Sequence, residues 1–427
     1  MKTEEFSLES LLQSLTPEQR EKLTEEVTKV VRSNMYPFSP IKLELMITER
    51  CNFACDYCFL GNHGKQRDMP VEIAEKAIDF FLEQAPAPTP DKEQVDVNIV
   101  LFGGEPLLHF ELFKHVVEYA QAKRKPGQKL HFDCTTNGTL LTEEIAEYCG
   151  KVPVPLLISL DGYQISHDKH RKFKDGRPTF DLIMSNLQIL RKYQGWIGAR
   201  VTYTPETVTT LADGIIWLNQ HGIAQFVIGA AMTGEAWSPA ALAEIDTQYY
   251  KLADYYRKTR FEGWIPLRIV QFETSNEETE KKLKHVWGCS AGRTSMSVTA
   301  DGAIYGCSRF ATLNNCEGAY PLGNVTEGLL RYDYLRDLQE NRSITRNKCH
   351  GCELAQQCAG TCPAVSLEAY GNIYVTDEIS CYLHKLATRM HNEQPDLSKI
   401  HIDYPNFHAR RALVKPPEEL TAHIQPL

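Results

Sequence analysis

The sequence lacks the marks of a membrane or exported protein. No apolar run approaches the ~20 residues that span a bilayer. The first ten residues, MKTEEFSLES, carry acidic groups and no apolar signal-type stretch. Basic residues are not in excess: 46 Lys and Arg stand against 55 Asp and Glu, a net charge of -9. That balance argues against nucleic acid or an anionic membrane as partner. There is no internal repeat and no low-complexity tract, and 42% hydrophobic with 24% charged residues excludes a disordered or fibrous chain. A cytoplasmic location is expected. Cysteine, by contrast, is plentiful, with 13 in 427 residues, most of them clustered. In a reducing compartment such clusters point to metal or catalysis rather than to disulfides.

Apolar periodicity places helices over 6–33, broken near Thr16–Pro17, ahead of a turn-rich stretch. Strands are then expected at 42–47, 95–102, 129–135, 156–160, 199–204 and 225–229, alternating with helices at 71–83, 112–124, 143–149, 180–193, 209–220 and 240–260. Short apolar strands between helices predict an α/β fold with a covered parallel sheet, either doubly wound or a partial (β/α)6 TIM-type barrel. After Trp264 the alternation stops, and the Cys- and Gly-rich text from Gly288 to Cys381 predicts a unit organised by metal. The expected divisions are a helical extension (1–40), the partial barrel (41–262), a metal-organised domain (263–385) and a tail (386–427).

Cys51, Cys55 and Cys58 form a C-x3-C-x2-C loop just after the first predicted strand, where β/α enzymes place their chemistry. Three thiolates can hold three irons of a 4Fe–4S cube and leave the fourth open to a small molecule. The plainer alternative is a structural zinc site completed by His63. Gly103-Gly104-Glu105-Pro106 closes the second strand; two glycines let backbone approach a ligand closely, or simply make a tight turn. Asn137 ends the third strand and Ser159 the fourth, with Asp161 and Arg171 just beyond and Arg200 on the fifth. Polar residues at strand ends suit ligand contact, or caps and ion pairs.

The CNFACDYCF loop resembles the signature of the radical S-adenosylmethionine (SAM) superfamily. The resemblance implies that SAM binds the open iron by its amino and carboxylate groups. One-electron cleavage then yields a 5′-deoxyadenosyl radical, which abstracts a substrate hydrogen. It implies Tyr57 near the adenine, Gly103, Gly104 and Glu105 at the ammonium, and Asn137, Ser159, Arg171 and Arg200 among the candidates for ribose and carboxylate.

Further on, Cys289 and Cys307 read C-x12-G-x4-C, and Cys349, Cys352, Cys358 and Cys362 read C-x2-C-x5-C-x3-C before Cys381. These spacings resemble the SPASM domain. Its wiring implies two auxiliary clusters of the 4Fe–4S type: Cys349, Cys352, Cys358 and Cys381 for one, and Cys289, Cys307 and Cys362 for the other. The second set has three ligands. Cys316 closes it, a substrate thiolate does, or it is a 2Fe–2S centre with a non-Cys ligand. Cys134 and Cys149 read as core residues.

SPASM enzymes mostly modify peptides, so the resemblance implies a maturase that installs a thioether, carbon–carbon or related crosslink in a ribosomally made peptide. It further implies a peptide substrate with a leader sequence, an external one-electron reductant of the flavodoxin or ferredoxin type, and a separate leader-binding protein as one means of substrate capture. Only about 40 residues precede the first strand, too few for the leader-binding winged helix of many such maturases. The runner-up is an anaerobic sulfatase-maturing (formylglycine-generating) enzyme. That branch uses an Asp just after the second SPASM cysteine as base, whereas Ser308 and Arg309 follow Cys307 here; a serine is no ordinary base at neutral pH. A non-enzyme alternative is a multi-cluster electron-transfer protein. No catalytic acid or base stands out; Tyr203, Glu235, Arg268, Gln271, Arg293 and Arg309 are candidates to line the cavity.

Overall fold

The computed structural model describes residues 15–60, 66–90, 93–232, 236–262, 267–272, 289–313, 320–355, 358 and 360–397. His63, Glu235, Cys316, the first part of the predicted N-terminal helices and the end of the tail lie outside the described residues.

Six strands run parallel, neighbours in sequence and in space: β1 (Lys42–Thr48), β2 (Val95–Gly103), β3 (Gln128–Thr136), β4 (Leu156–Ser159), β5 (Gly198–Tyr203) and β6 (Gln225–Ala230). Helices such as Val71–Gln84, Phe110–Lys123 and Phe180–Leu190 make the crossovers. Along β2, Val95, Val97, Ile99 and Leu101 are buried while Asp96, Asn98, Val100 and Phe102 are less so. One face therefore packs into the core, and the other is part polar. Asn98 donates to the Asp133 carboxylate at 2.9 Å, and His131 contacts Asp96 at 2.8 Å.

Two features go beyond the six expected strands. A seventh parallel strand, β7 (Arg268–Ile269), joins β6; two residues are too few to carry a periodic signal. On the other side, β8 (Ser295–Val298) pairs parallel with β1, and β9 (Ala303–Tyr305), β10 (Gly323–Asn324) and β11 (Gly328–Leu329) follow antiparallel. The sheet is open, with β7 and β11 at its ends. Pairing with β8 covers an edge of β1 that would otherwise expose its backbone groups. The Cys-rich region was expected to be organised by metal in place of a large apolar core. In the structure, Met296, Val298, Ile304, Phe310, Leu322, Leu335 and Leu338 are buried in one core continuous with the rest. Among the described residues, no helix is long and apolar enough to cross a membrane.

Candidate functional site

The parallel strands bring their C-terminal ends to one rim, and the cysteine loop sits on it. Gly103 has φ +143°, a conformation that side chains disfavour, and a Cβ there would lie 2.0 Å from the Thr48 carbonyl oxygen. A Cβ on Gly104 would lie 2.2 Å from the Arg50 carbonyl oxygen. The close approach lets Gly104 N–H donate to Thr48 O and Glu105 N–H to Arg50 O, both at 2.9 Å. The two glycines thus fix the chain that leads into Cys51.

The far side of the loop is clamped by 170–174. Ala54 N–H donates to Lys172 O at 2.9 Å, Phe53 packs edge-on against Phe173, and His170 contacts Asp56 at 2.9 Å. Cys51, Cys55 and Cys58 line one cavity of about 290 Å³ with Gly104, Phe53, Leu60 and Lys174. Glu49 also lines it, but Arg67 holds its carboxylate. Burial pushes the Cys51 thiol up to about 11 and Cys55 up to about 12, so these sulfurs ionise only against a compensating positive charge such as bound iron. Three soft sulfur donors on one small cavity suit an iron–sulfur group. Among the described residues, no three ligating side chains converge on a point that would hold a single ion; a multi-iron group needs its ligands further apart.

Glu105 turns inward. It accepts from Leu107 N–H at 3.1 Å, the Thr136 hydroxyl at 2.7 Å and Asn137 N–H at 2.7 Å. Burial nevertheless pushes its carboxyl up to about 7. The side chain ties the end of β2 to the end of β3, which leaves the Gly103-Gly104 backbone as the part of this segment nearest the cysteines. Asn137 donates to Asn52 Oδ1 at 2.7 Å and accepts from Thr139. It too braces the cysteine loop.

A buried ionic network lies beneath Tyr57. Arg171 donates to Asp161 through Nε at 2.7 Å and Nη2 at 3.0 Å. Thr202 N–H donates to Asp161 at 2.8 Å and the Tyr57 hydroxyl donates to it as well. Burial raises the Asp161 carboxyl, but Arg171 and these donors outweigh it and hold it below its usual range. The Arg171 guanidinium also sits 5.4 Å from the Tyr57 ring centroid. Two of the Arg171 donors are therefore committed to Asp161, ten residues away, the ion-pair alternative for these strand-end residues.

Ser159 and Arg200 differ from these. They are register partners on β4 and β5. Among the described residues, neither side chain makes a hydrogen bond or ion pair. Gly229 on β6 leaves room for Arg200: a Cβ there would lie 2.7 Å from its Nη2.

His167, next to this network, is wholly buried. Its Nδ1 accepts from Asp161 N–H at 3.3 Å and its Nε2 contacts the Thr179 hydroxyl at 3.0 Å. Burial pushes its pKa down to about 3. A folded value below the unfolded ~6.5 means this stability is present above pH 6.5 and is lost as pH falls toward 3. The expected loss is up to ~1.4 kcal/mol per pH unit. Denaturant melts between pH 7 and 4.5 should show a steeper loss for the parent chain than for His167→Gln.

The later cysteines fall into two neighbourhoods. Cys307 interacts electrostatically with Cys289 and Cys362, and Cys358 with Cys349, Cys381 and Cys352. The first neighbourhood adjoins the Cys51–Cys58 loop: Arg309 packs 5.2 Å from the Phe59 ring centroid and pairs with Glu368 at 2.8 Å. The Glu44 carboxylate on β1 accepts from Ser308 N–H at 2.8 Å; the sequence reading missed Glu44, whose only signal was its place on the first strand. Cys134 and Cys149 are buried. Other suspected cavity residues are engaged locally: Gln271 brackets the backbone of Ile228, Arg268 donates to Gln225 and Arg293 to the Gln339 carbonyl. A larger cavity of about 1180 Å³ opens where the strands begin, lined by Asp96, His131 and Asp133 among others. It is remote from the cysteine loop.

A family model described as the radical SAM superfamily matches residues 45–212. The chain is 32% identical over 347 residues to a serine-type anaerobic sulfatase-maturating enzyme of Bacteroides thetaiotaomicron, spanning 73% of this chain and 80% of that protein. It is 25% identical over 358 residues to the radical SAM cyclopropyl synthase TigE of Paramaledivibacter caminithermalis, spanning 81% of this chain and 73% of that one. Among solved structures, the fold matches anSMEcpe with bound AdoMet and Cp18Cys peptide at TM-score 0.68, 17% identity, 86% of this chain and 99% of that chain. It matches Streptococcus suis SuiB bound to precursor peptide SuiA at TM-score 0.57, 18% identity, 86% of this chain and 82% of that chain.

Proposed function

The chain belongs to the radical SAM superfamily, and from that premise we propose that it is a peptide maturase, installing a thioether, carbon–carbon or related link in a ribosomally made peptide. The observation that carries this reading is the trio Cys51, Cys55 and Cys58 on one cavity at the strand ends. The peptide class is supported by anSMEcpe and SuiB, whose structures hold peptides.

When bound, the 4Fe–4S cluster and SAM supply a carbon radical able to take a hydrogen from the substrate. The protein's part is to hold and shield. Cys51, Cys55 and Cys58 would ligate the cluster. The Gly103-Gly104 backbone would face the SAM ammonium. The Ser159 hydroxyl and the Arg200 guanidinium, neither of which makes a hydrogen bond or ion pair among the described residues, would receive its carboxylate or ribose. Asp161 and Arg171 would set the position of Tyr57. Cys289, Cys307 and Cys362 would hold one auxiliary cluster and Cys349, Cys352, Cys358 and Cys381 the other, in a SPASM arrangement. An external reductant of the flavodoxin or ferredoxin class would supply the electron.

Gly229→Ala tests the Arg200 assignment. The new methyl meets the movable end of a long side chain, so melting should change little. SAM binding should weaken on the order of tenfold, ~1.4 kcal/mol, and calorimetric titration with SAM reads it.

The 32% identity to a serine-type sulfatase-maturating enzyme favours a second reading, formylglycine formation. Both reactions remove two hydrogens from a peptide, but only formylglycine leaves an aldehyde. The reduced enzyme is incubated with SAM and either short precursor peptides or a sulfatase-derived peptide. Loss of two hydrogens without capture by a hydrazide probe supports the crosslinking maturase. Hydrazide capture on the sulfatase peptide alone overturns it.

A further inference from the structure

Arg346 is wholly buried, at 0% exposure. Its guanidinium is fully engaged, and every partner is neutral. Nε and Nη2 donate to Asn341 Oδ1 at 3.1 and 2.6 Å. Nη2 also donates to the Thr361 carbonyl at 2.8 Å. Nη1 donates to the Thr361 hydroxyl, to the Val375 carbonyl at 2.8 Å and, at 3.5 Å, to the Ser366 hydroxyl. Among the described residues, no carboxylate bonds or pairs with it. A cation kept out of water without a counter-ion is expensive, and neutral acceptors offset only part of that cost.

The location explains the expense. Arg346 lies against Gly360 and Thr361, which lead into Cys362. Thr361, its double acceptor, precedes Cys362, and a Cβ on Gly360 would lie 3.5 Å from Arg346 Nε. Its own carbonyl accepts from Cys349 N–H at 3.0 Å. The charges acting on it come from Cys349, Cys362, Asp377 and Cys358, which draws on both groups. Asp377 is the one carboxylate among them. Its Oδ1 caps the helix Glu378–Glu393 through Ser380 N–H at 3.1 Å, and its Oδ2 has no hydrogen-bond partner.

We propose that Arg346 is the shared counter-charge of the two auxiliary cysteine groups, and that it raises the reduction potential of the iron–sulfur centres held there. The inference rests on the cluster assignment above. Thiolate-bound clusters are anionic and gain one more negative charge on one-electron reduction by the external donor. A fixed cation therefore favours the reduced form, as charge and hydrogen bonding near the sulfurs generally do.

The test uses the full chain with Cys51, Cys55 and Cys58 replaced by Ala, reconstituted anaerobically so that only auxiliary centres remain. Potentiometric titration followed by electron paramagnetic resonance is run on this parent and on Arg346→Gln, Arg346→Lys and Asp377→Asn in the same background. Arg346→Gln should lower the reduced fraction at fixed potential about tenfold, a ~59 mV drop for one electron. Arg346→Lys keeps the charge and should restore most of it. Asp377→Asn keeps the helix cap and should shift the potential upward. Equal shifts in Arg346→Gln and Arg346→Lys, or no shift in Arg346→Gln and Asp377→Asn, overturn the proposal. If Arg346→Gln fails to hold iron, the Asp377→Asn arm decides: a rise supports the proposal and no change overturns it. A parent that takes up no auxiliary iron overturns the cluster assignment itself, and this inference with it.

Discussion

Asp161→Ala is expected to cost about 3–5 kcal/mol of folding stability, the range for removing one partner of a buried ion pair. The carboxylate is 7% exposed and accepts four hydrogen bonds, from Arg171 twice, Tyr57 and Thr202. Its loss strands the Arg171 guanidinium, 8% exposed, in the core. It also removes the acceptor of the Tyr57 hydroxyl and of the Thr202 N–H on β5. The damage therefore reaches the cysteine loop, where Tyr57 lies between Cys55 and Cys58. Denaturant unfolding should show the stability loss. Where the variant still folds, SAM affinity should fall by more than in Lys151→Ala, which breaks an exposed pair away from the loop. An Asp161→Ala protein with parental stability and SAM affinity would remove the network from the account.

Gly103→Ala is expected to do comparable harm by a different route. A Cβ at φ +143° is strained, and it would sit 2.0 Å from a backbone oxygen that cannot swing aside. Strain of ~1–3 kcal/mol and overpacking of ~1–3 kcal/mol together give about 2–6 kcal/mol. Gly104→Ala meets the Arg50 carbonyl at 2.2 Å without the adverse φ, so it should cost less. In both, iron bound per chain at the Cys51–Cys58 loop should drop while the auxiliary complement persists, as iron quantitation and absorbance would show. A Gly103→Ala protein with full iron content and unchanged melting would refute the close-approach argument.

How much of this was legible in the sequence depends on the range of the forces involved. β1 to β6 are short apolar runs whose burial is decided locally, and they stand within a residue or two of their expected places. β7 and the β1–β8 pairing rest on two- and four-residue strands whose partners are distant in sequence, so no local pattern announces them. The rim residues were recognisable as polar groups at strand ends. Which of them bind one another was not. Arg171 and Asp161 meet across the helix Gln164–His170, and Glu105 turns away from the cysteines toward Thr136 and Asn137. Arg200 reads as an ordinary strand arginine until the register sets it beside Ser159. Arg346 carries no sequence signal, because its acceptors are four neutral residues scattered between Asn341 and Val375.

The central claim is that Cys51, Cys55 and Cys58 hold a cluster that reductively cleaves SAM. The most direct measurement is 5′-deoxyadenosine formed from SAM by the anaerobically reconstituted, reduced protein, with and without candidate peptides, against the variant in which all three are Ala. The account predicts 5′-deoxyadenosine from the parent chain and none from the variant, whose auxiliary-cluster absorbance should remain. No 5′-deoxyadenosine from a fully reconstituted parent chain, or equal amounts from parent and variant, would contradict it.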